Sequence, residues 1–317
     1  MLGCRALIKH TLEISERPAS VSLRNHQLLI RAGELERRYA CEDVGVLILE
    51  HPGITISAAA VNELLTEGAV VLFCGANHLP TGMLLPTITH TELVPRMMNQ
   101  LQADQPSRKR LWKEIVRSKI QAQAANVTEP YKRKLGHLAS KVKSGDPENR
   151  EAQAAKIYWP AYFPDQYGAG MARDYNCSSF FNSALNYGYA IMRAAVARAL
   201  VSAGLLPALG VFHKRRDNPY CLADDVMEPL RPIVDTRVKE LLQDTAHGDT
   251  QPNSLEKEHR AALLSLLSER VTCGDFEGPL MVALPRYISS FYRMLTKEAY
   301  TLLPPYQCSS HTTDVCG

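Results

Sequence analysis

Residues 44–74 read VGVLILEHPGITISAAAVNELLTEGAVVLFC, and this stretch sets the fold class of the first part of the chain. Val44–Leu49 is an apolar run of strand length that is rich in β-branched residues. Ser57 then opens an alanine-rich helix, which is followed by a second apolar run, Val70–Cys74. The stretch therefore predicts a strand, a helix and a strand in succession.

The residues before this stretch indicate further strands. Ser20–Leu23 and Gln27–Arg31 flank the short polar turn Arg-Asn-His, which is the pattern of a β-hairpin. Arg37–Cys41 has the length and composition of a third strand. We therefore expect residues 1–86 to form a small β-rich domain.

Beyond Glu92 the apolar residues recur with the 3.6-residue period of helices. The predicted fold class is therefore α+β, with the small N-terminal β-rich domain followed by a larger all-α domain. We place a linker and first helix over 87–106, the helical domain over 107–305 and a flexible tail over 306–317. The predicted helices span residues 91–103, 107–125, 129–143, 147–159, 177–203, 224–243, 254–269 and 280–298.

Cysteine spacing and apolar stretches exclude some classes of protein. The eight cysteines are scattered without a Cys-x-x-Cys pair, and no secretory signal is evident. This pattern predicts a reduced, cytoplasmic protein without a structural zinc site. The apolar stretch within Ala190–Val211 is interrupted by Arg193 and Arg198, so it predicts a buried helix and no membrane span.

The charge of the chain is unevenly distributed. The net charge is only +3, yet residues 101–160 carry 13 Lys and Arg against 6 Asp and Glu. A basic segment in a near-neutral protein is what a localised phosphate-binding surface needs. A solvated helix face is the alternative interpretation of the same composition.

A second informative stretch, residues 213–235, gathers a histidine and spaced carboxylates beside arginines. Asp225 and Glu228 are three residues apart, so on a helix they share a face and repel each other. A divalent cation would relieve that repulsion, and so would Arg231. Carboxylates with the imidazole of His213 suit magnesium or manganese, which neutralise a scissile phosphate during phosphodiester chemistry.

Local signals place these side chains on particular elements. Asp146 and Pro147 predict a helix start, which puts Glu151 in an early turn of that helix. Glycines and prolines after the long predicted helix end it before residue 211. His213 is therefore expected on a loop or a short extended segment.

Three separated motifs carry a family resemblance. They are Asn149-Arg150-Glu151-Ala-Gln-Ala-Ala-Lys156-Ile157-Tyr158-Trp159, Asn182-Ser-Ala-Leu-Asn186-Tyr187-Gly188-Tyr189, and His213 followed by Leu222-Ala-Asp-Asp-Val-Met-Glu228-Pro-Leu-Arg231-Pro232. In order and spacing they resemble the Cas1 family of CRISPR-associated spacer integrases. The Leu-Arg-Asn-His-Gln-Leu-Leu-Ile hairpin and the later Leu79-Pro-Thr-Gly extend the match to about residues 7–300. The resemblance looks closest to the type II (II-C-like) subgroup.

The resemblance implies a metal-dependent DNA endonuclease and integrase of CRISPR adaptation. Such an enzyme inserts short spacer DNA into the CRISPR array by attack of a 3′ hydroxyl on the phosphodiester at the repeat boundary. The family's metal ligands and catalytic residues fall on Glu151, His213 and Glu228, with Mg²⁺ or Mn²⁺ as the ion. No protein nucleophile is needed, because the attacking group belongs to the DNA end.

Other residues take supporting roles in this interpretation. Asp225 is expected to orient a ligand or to hold a metal-bound water, in preference to Asp224. Asn186 and Tyr187 match a family motif and either line the site or pack the long helix.

The resemblance also gives the basic segment a role and implies partners. Its cations are expected to follow the phosphates of double-stranded DNA, both the prespacer and the CRISPR repeat. The family implies a homodimer bridged by the small companion subunit Cas2, with Val44–Leu49 as either a dimer surface or an ordinary sheet core. The candidate DNA-binding residues are Arg108, Lys109, Arg110, Lys113, Arg117, Lys119, Lys132 and Arg133.

Two other functions use the same residues. A metal-dependent DNA repair nuclease would use water in place of the DNA hydroxyl, and it would cut without joining. A non-enzymatic DNA-binding scaffold would use the basic segment, while Glu151 and Glu228 formed salt bridges. Joined DNA products separate the first alternative from the integrase, and indifference to metal identifies the second.

Overall fold

The structure is a computed structural model that describes residues 9–75, 80–87, 90–167, 179–246 and 255–307. Leu79, the first residues of the helix predicted over 177–203, and the part of the predicted tail beyond Gln307 lie outside the described residues.

Strands dominate the N-terminal part, and mostly helices follow, so the predicted α+β class is confirmed. Ser57 caps the first helix by accepting a hydrogen bond from the backbone N–H of Ala60, as its position before the alanine run predicts. The elements of this part are β1 (His10–Ile14), β2 (Ser20–Arg24), β3 (Gln27–Ala32), β4 (Leu35–Ala40), β5 (Val44–Leu49), β6 (Thr55–Ile56), α1 (Ala58–Thr66), β7 (Val70–Cys74) and β8 (Pro80–Leu84).

Strand β5 lies inside a sheet of order β1-β5-β7-β8. It pairs in parallel with both β1 and β7, and all its residues are buried. Of the two interpretations of Val44–Leu49, an ordinary sheet core and a dimer surface, the structure agrees with the sheet core. β1 itself is not among the predicted strands, since its His-Thr-Leu-Glu-Ile sequence carries only a weak strand pattern.

The predicted hairpin belongs to a second sheet, of order β4-β3-β2-β6. Arg24 pairs with Gln27, so only Asn25 and His26 form the turn. Both residues have positive φ angles, 51° and 59°, as a tight hairpin turn between twisted strands requires.

The first sheet separates two hydrophobic cores. Val46 and Ile48 of β5 pack into the core of the helical part, together with Val70 and Leu72 of β7. Other residues of the same strands, including Leu47, pack with α1 and the second sheet. Because side chains alternate across a sheet, one pair of strands supplies both cores.

Most helices of the second part match the predicted ones, with ends shifted by a few residues. The prediction of a single helix over 224–243 is wrong, because a 3₁₀ turn at Glu228–Leu230 separates two helices there. None of the described helices has an apolar stretch that meets the length and polarity requirements of a membrane span. The helices are α2 (Leu93–Gln102), α3 (Gln105–Asn126), α4 (Tyr131–Ser140), α5 (Arg150–Tyr162), α6 (Pro164–Tyr167), α7 (Phe180–Ser202), α8 (Cys221–Met227), α9 (Arg231–Ala246), α10 (Lys257–Ser265) and α11 (Leu280–Leu295).

The second part also contains a small sheet, so the prediction that it is all-α is wrong in detail. Its strands are β9 (Arg270–Cys273), β10 (Phe276–Pro279) and β11 (Tyr306–Gln307), in the order β10-β9-β11. Gly274, with a φ angle of 63°, turns the chain between β9 and β10. Since β11 pairs with β9, the predicted flexible tail cannot begin at Tyr306.

Candidate active site

A cavity of about 740 Å³ opens among the helices of the second part. It gathers side chains that are far apart in the sequence, because α3, α5 and α7 surround it together with the residues that follow α8. All three residues that the resemblance assigns to metal binding line it. The lining residues that matter most are Lys119, Glu151, Asn186, His213, Glu228 and Arg231.

Glu151 enters the cavity from the first turn of α5. The prediction that this helix starts at Pro147 is wrong, because Asn149 has a left-handed conformation (φ 50°) and caps a helix that begins at Arg150. Asp146 nevertheless binds the helix end, since its carboxylate accepts hydrogen bonds from the backbone N–H groups of Arg150 and Glu151 at 2.8 and 3.1 Å. Glu151 is thereby fixed at the N-terminus of the helix.

His213 lies on the loop between α7 and α8, as predicted. The buried carboxylate of Asp225 accepts hydrogen bonds from the backbone N–H groups of Val211, Phe212 and His213 at 2.7, 2.9 and 3.2 Å. Oδ1 of Asp225 is also 2.6 Å from Nδ1 of His213. That hydrogen bond raises the pKa of His213 against the opposing effect of burial. Nε2 is the ring nitrogen left for other contacts.

The loop that carries His213 is tightly packed. A Cβ atom on Gly210 would lie 2.3 Å from the carbonyl oxygen of His213 and 2.9 Å from Oδ2 of Asp225, so only glycine fits there. The ring of Phe212 stacks on Trp112 of α3, with centroids 4.0 Å apart and planes 1° from parallel. Trp112 also meets the imidazole of His213 edge to face at 5.7 Å. These contacts leave the imidazole little freedom.

Glu228 begins a 3₁₀ turn directly after α8 and is almost completely buried. Its Oε1 accepts a hydrogen bond from Nε of Arg231 at 2.8 Å, and its Oε2 lies 2.6 Å from Nζ of Lys119. Burial alone would raise the pKa of Glu228, but Arg231 and Lys119 outweigh it and lower that pKa to about 2. Glu228 is thus held as a carboxylate.

Lys119 joins the two acidic residues of the cavity. Its Nζ is 2.6 Å from Oε1 of Glu151 as well as from Oε2 of Glu228. Burial opposes the charge of the ammonium, but Glu228 and Glu151 outweigh burial and raise the pKa of Lys119. Lys119, predicted to bind DNA, is therefore the cation that neutralises both carboxylates here.

The remaining predicted site residues divide into two groups. Asn186 lines the cavity, whereas Tyr187 is buried elsewhere and its hydroxyl donates to Oε1 of Glu13 at 3.3 Å. Asp224 also lines the cavity, where Arg193 and Asn218 donate to its carboxylate. The structure thus brings Asn186 to the site and does not bring Tyr187 there.

Sequence reasoning missed a buried acidic residue at the back of the cavity. Asp235 accepts hydrogen bonds from the hydroxyls of Tyr158 and Tyr189, and the guanidinium of Arg231 lies 4.7 Å from the centre of the Tyr189 ring. Tyr158 and Tyr189 both belong to motifs quoted above. Tyr158 is seven residues from Glu151 and Tyr189 is three residues from Asn186, so each tyrosine shares a helix face with a site residue, which was the available signal.

The site offers a divalent ion two carboxylates and one imidazole, those of Glu151, Glu228 and His213. Among the described residues, no three acidic, histidine or cysteine side chains stand close enough to form a ready-made metal cluster. Lys119 lies between the carboxylates of Glu151 and Glu228 instead. Oε2 of Glu228 is buried, and within the described part of the chain the ammonium of Lys119 faces it at 2.6 Å. The two carboxylates and the imidazole fit Mg²⁺ or Mn²⁺ in their chemistry.

The predicted DNA-binding residues differ in how available their charges are. Lys109, Arg117, Lys132 and Arg133 are exposed on α3 and α4, while Arg110 and Lys113 are partly exposed on α3. Arg108 instead donates hydrogen bonds to the carbonyl oxygens of residues 100, 103 and 210 at 2.8, 3.1 and 3.2 Å. Arg108 therefore joins α2, α3 and the loop before His213.

Comparisons with known proteins give consistent matches. The model of the family described as CRISPR associated protein Cas1 matches residues 12–270. A relative named CRISPR-associated endonuclease Cas1, from Neisseria meningitidis serogroup C (strain 8013), is 37% identical over 88% of this chain and 90% of its own length.

Solved structures share the fold at lower identity. A casposase bound to an integration product superposes with a TM-score of 0.75 at 19% identity, covering 94% of this chain and 95% of its own. A chain of a Cas6-RT-Cas1–Cas2 complex superposes with a TM-score of 0.74 at 17% identity, covering 95% of this chain and 36% of its own.

Proposed function

Because this chain belongs to the Cas1 family of CRISPR-associated proteins, we propose that it is a metal-dependent integrase that inserts short DNA duplexes into a CRISPR array. The observation that carries the proposal is the convergence of Glu151, His213 and Glu228 on one cavity of about 740 Å³. The names of the similar proteins, an endonuclease and a casposase with its integration product, support chemistry on DNA phosphodiesters.

Glu151, His213 and Glu228 are the residues that would hold Mg²⁺ or Mn²⁺. The ion, when bound, neutralises charge on the scissile phosphate and stabilises the leaving oxygen. Asp225 holds Nδ1 of His213 and so presents Nε2 as the donor. Arg231 keeps Glu228 ionised, and the start of α5 fixes the backbone of Glu151.

Lys119 has two roles in this proposal. Without a metal ion its ammonium neutralises Glu151 and Glu228, which would otherwise repel each other across the cavity. With an ion held by the two carboxylates, the ammonium of Lys119 would be available to a DNA phosphate. The long side chain of lysine allows such a shift without movement of α3.

The reaction is a direct transesterification. The 3′ oxygen of the incoming duplex forms a bond to phosphorus at the repeat boundary, and the bond from phosphorus to the 3′ oxygen of the target strand breaks. The proton lost by the attacking hydroxyl is balanced by the proton gained by the leaving oxygen. No side chain of the chain becomes covalently attached, so the site needs only to position groups and to stabilise charge.

The exposed cations of α3 and α4 form the proposed DNA surface. On α3 the residues Lys109, Lys113 and Arg117 recur every four positions and therefore follow one face of the helix. Lys132 and Arg133 extend the surface onto α4, which packs against α3. We leave Arg108 out of this surface, because its guanidinium is engaged with backbone carbonyls.

The functional unit that we propose is a homodimer with the companion subunit Cas2, acting in the cytoplasm. Support for the companion comes from the similar fold of a chain in a Cas6-RT-Cas1–Cas2 complex. Double-stranded DNA of both the prespacer and the CRISPR repeat is the proposed substrate.

An integration assay tests the function. Purified protein and its companion subunit are mixed with a short duplex bearing 3′ hydroxyl ends and a supercoiled plasmid carrying the repeat, with Mg²⁺, Mn²⁺ or a chelator. We expect metal-dependent joining that disappears in Glu151→Gln and Glu228→Gln. The control Glu240→Gln, at an exposed position of α9, should join like the unaltered protein.

Two results would contradict the integrase proposal and favour another function. Metal-dependent cutting without joined product, in a verified complex, would identify a nuclease. DNA binding with the same behaviour in chelator, and with no covalent product, would identify a scaffold.

A further inference from the structure

A second cavity, of about 620 Å³, lies where the N-terminal part meets α11. Four basic side chains line it, against a single acidic one among the described residues, Asp275, so the cavity carries an excess of positive charge. The basic residues are Lys9, Arg198, Arg286 and Arg293.

These basic groups contact carbonyls and a ring rather than carboxylates. Nζ of Lys9 donates to the carbonyl oxygen of Glu67, and Nε of Arg198 donates to that of Gly68, both at 2.5 Å. The guanidinium of Arg286 lies 4.6 Å from the centre of the Phe276 ring. Within the described residues the structure gives none of the four basic groups of this cavity an ion pair with a carboxylate.

Two of the cations are held close to each other at the inner end of the cavity. Arg198 is partly buried in α7, and burial lowers its pKa. Burial also lowers the pKa of Lys9 and the charge of Arg198 lowers it further, while Glu67, Asp43 and Glu42 partly offset the shift. Like charges placed together in a partly buried site are unfavourable unless an anion joins them. The inner end of the cavity is therefore suited to a negatively charged group.

Part of the cavity wall is apolar. Met281, Val282, Pro285 and Leu303 form it. Gly45 is needed for its shape, since a Cβ there would lie 2.9 Å from Cβ of Lys9 and 3.1 Å from Cε of Met281. A volume of about 620 Å³ falls within the usual range for small-molecule sites. The cavity thus combines a charged end with an apolar wall.

The second cavity is separate from the candidate active site. Arg193 of α7 lines the first cavity, and Arg198 of the same helix lines the second. Five residues turn the side-chain direction by about 140° around a helix. Opposite sides of α7 therefore serve the two cavities.

We propose that this cavity binds a phosphorylated small molecule of nucleotide size. The phosphates contact Arg198, Arg286 and Arg293, because guanidinium groups bind phosphate oxygens in pairs. The apolar wall of Met281 and Val282 takes the uncharged part of the molecule. Arg286 and Arg293 are exposed while Arg198 is partly buried, so the positive charge continues from the mouth of the cavity inward. This favours a small ligand that enters the cavity rather than a DNA strand that passes across its mouth.

Binding of a fluorescent ATP analogue, with unlabelled ATP and inorganic triphosphate as competitors, tests the proposal. We expect saturable binding that the double substitution Arg286→Gln with Arg293→Gln weakens at least tenfold. The matched control, Arg24→Gln with Arg37→Gln, removes two exposed arginines from the β4-β3-β2-β6 sheet and should bind like the unaltered protein.

A second variant separates a cavity from a charged surface. Ser289→Trp keeps every cation but fills the mouth of the cavity, because Ser289 is an exposed lining residue of α11. It should abolish nucleotide binding while the melting temperature stays unchanged. The proposal would be overturned if Ser289→Trp bound the nucleotide undiminished, or if the two double variants lost nucleotide binding equally. It would also be overturned if the substitutions changed only the binding of duplex DNA.

Discussion

The ammonium nitrogen of Lys119 lies 2.6 Å from Oε2 of Glu228, and both side chains are largely buried in the cavity that also contains Glu151. This pair links the stability of the fold to the occupancy of the site. A cation bound by Glu151 and Glu228 competes with Lys119 for the same negative charge. The consequence is measurable without any DNA substrate.

We predict that Lys119→Met destabilises the metal-free protein by about 3 kcal/mol, because it removes the cation between Oε1 of Glu151 and the buried Oε2 of Glu228. Mn²⁺ should raise the melting temperature of this variant more than that of the unaltered protein. Thermal unfolding with Mn²⁺ or chelator measures both effects. Lys113→Met, at a more exposed position of the same helix, serves as the control. Equal shifts by Mn²⁺ in all three proteins would contradict the competition.

Asp225→Asn is predicted to lower the pKa of His213, since the carboxylate raises it in the folded protein. The stabilisation from this pair is fully present below the ordinary His pKa of 6.5 and is lost as the pH rises through the raised value. NMR titration of the imidazole measures the change. Strand transfer should fall roughly 10–100-fold, as for other residues that orient a metal ligand.

The neighbouring acid supplies the control for this experiment. Asp224→Asn alters contacts to Arg193 and Asn218 but none to the imidazole. The titration of His213 should therefore match that of the unaltered protein. An equal drop in its pKa in both variants would mean that general electrostatics, and not the hydrogen bond, raises it.

A buried pair of carboxylates gives the fold a pH dependence. Burial raises the pKa of Glu13 to about 7, and its hydrogen bond and repulsion with Glu50 add to the shift, while Arg260 opposes it. The unfolded chain releases this proton near 4.5, so stability is lost as the pH rises from about 4.5 to 7. We predict that Glu13→Gln removes this loss, which amounts to at most about 3 kcal/mol.

Urea unfolding at pH 5 and pH 8 tests this prediction. The difference in unfolding free energy between Glu13→Gln and the unaltered protein should move in favour of the variant as the pH rises. The exposed Glu34→Gln should show no such trend. A difference that stays constant between the two pH values would rule out Glu13 as the titrating group.

The proposed DNA surface predicts a change in salt dependence. Lys132→Glu with Arg133→Glu should weaken duplex binding and lower the slope of log affinity against log salt by about two, because two phosphate contacts are lost. Fluorescence anisotropy at several salt concentrations measures the slope. The same charge reversal at Arg24 and Arg37 provides the control. An unchanged slope would remove α4 from the DNA surface.

Much of the fold could be predicted from local patterns. The apolar runs of β5 and β7 and the turn at Asn25 and His26 follow from strand length and turn chemistry. The small sheet of β9, β10 and β11 could not, because β11 is only two residues long and gains its partner through a contact distant in sequence. Periodicity within a window cannot detect such a pairing.

The site shows the same division. Spacing identified Glu228 and its possible partner Arg231, which are neighbours on consecutive turns. The composition of the basic segment assigned Lys119 to the DNA-binding surface, because composition does not tell which face of α3 points inward. Only the packing of α3 against the turn at Glu228 shows that this lysine faces the cavity. Its role depends on tertiary contacts, which no local pattern reports.

The sheet of β1, β5, β7 and β8 has a mechanical consequence. Val46 and Ile48 belong to the core of the helical part, while Leu47 belongs to the core of the N-terminal part. Neither half therefore has a complete hydrophobic core without this sheet. Cutting the chain near residue 86 would expose apolar surface on both fragments. We therefore expect the two halves to unfold in a single cooperative transition, because the strands of this sheet contribute side chains to both hydrophobic cores.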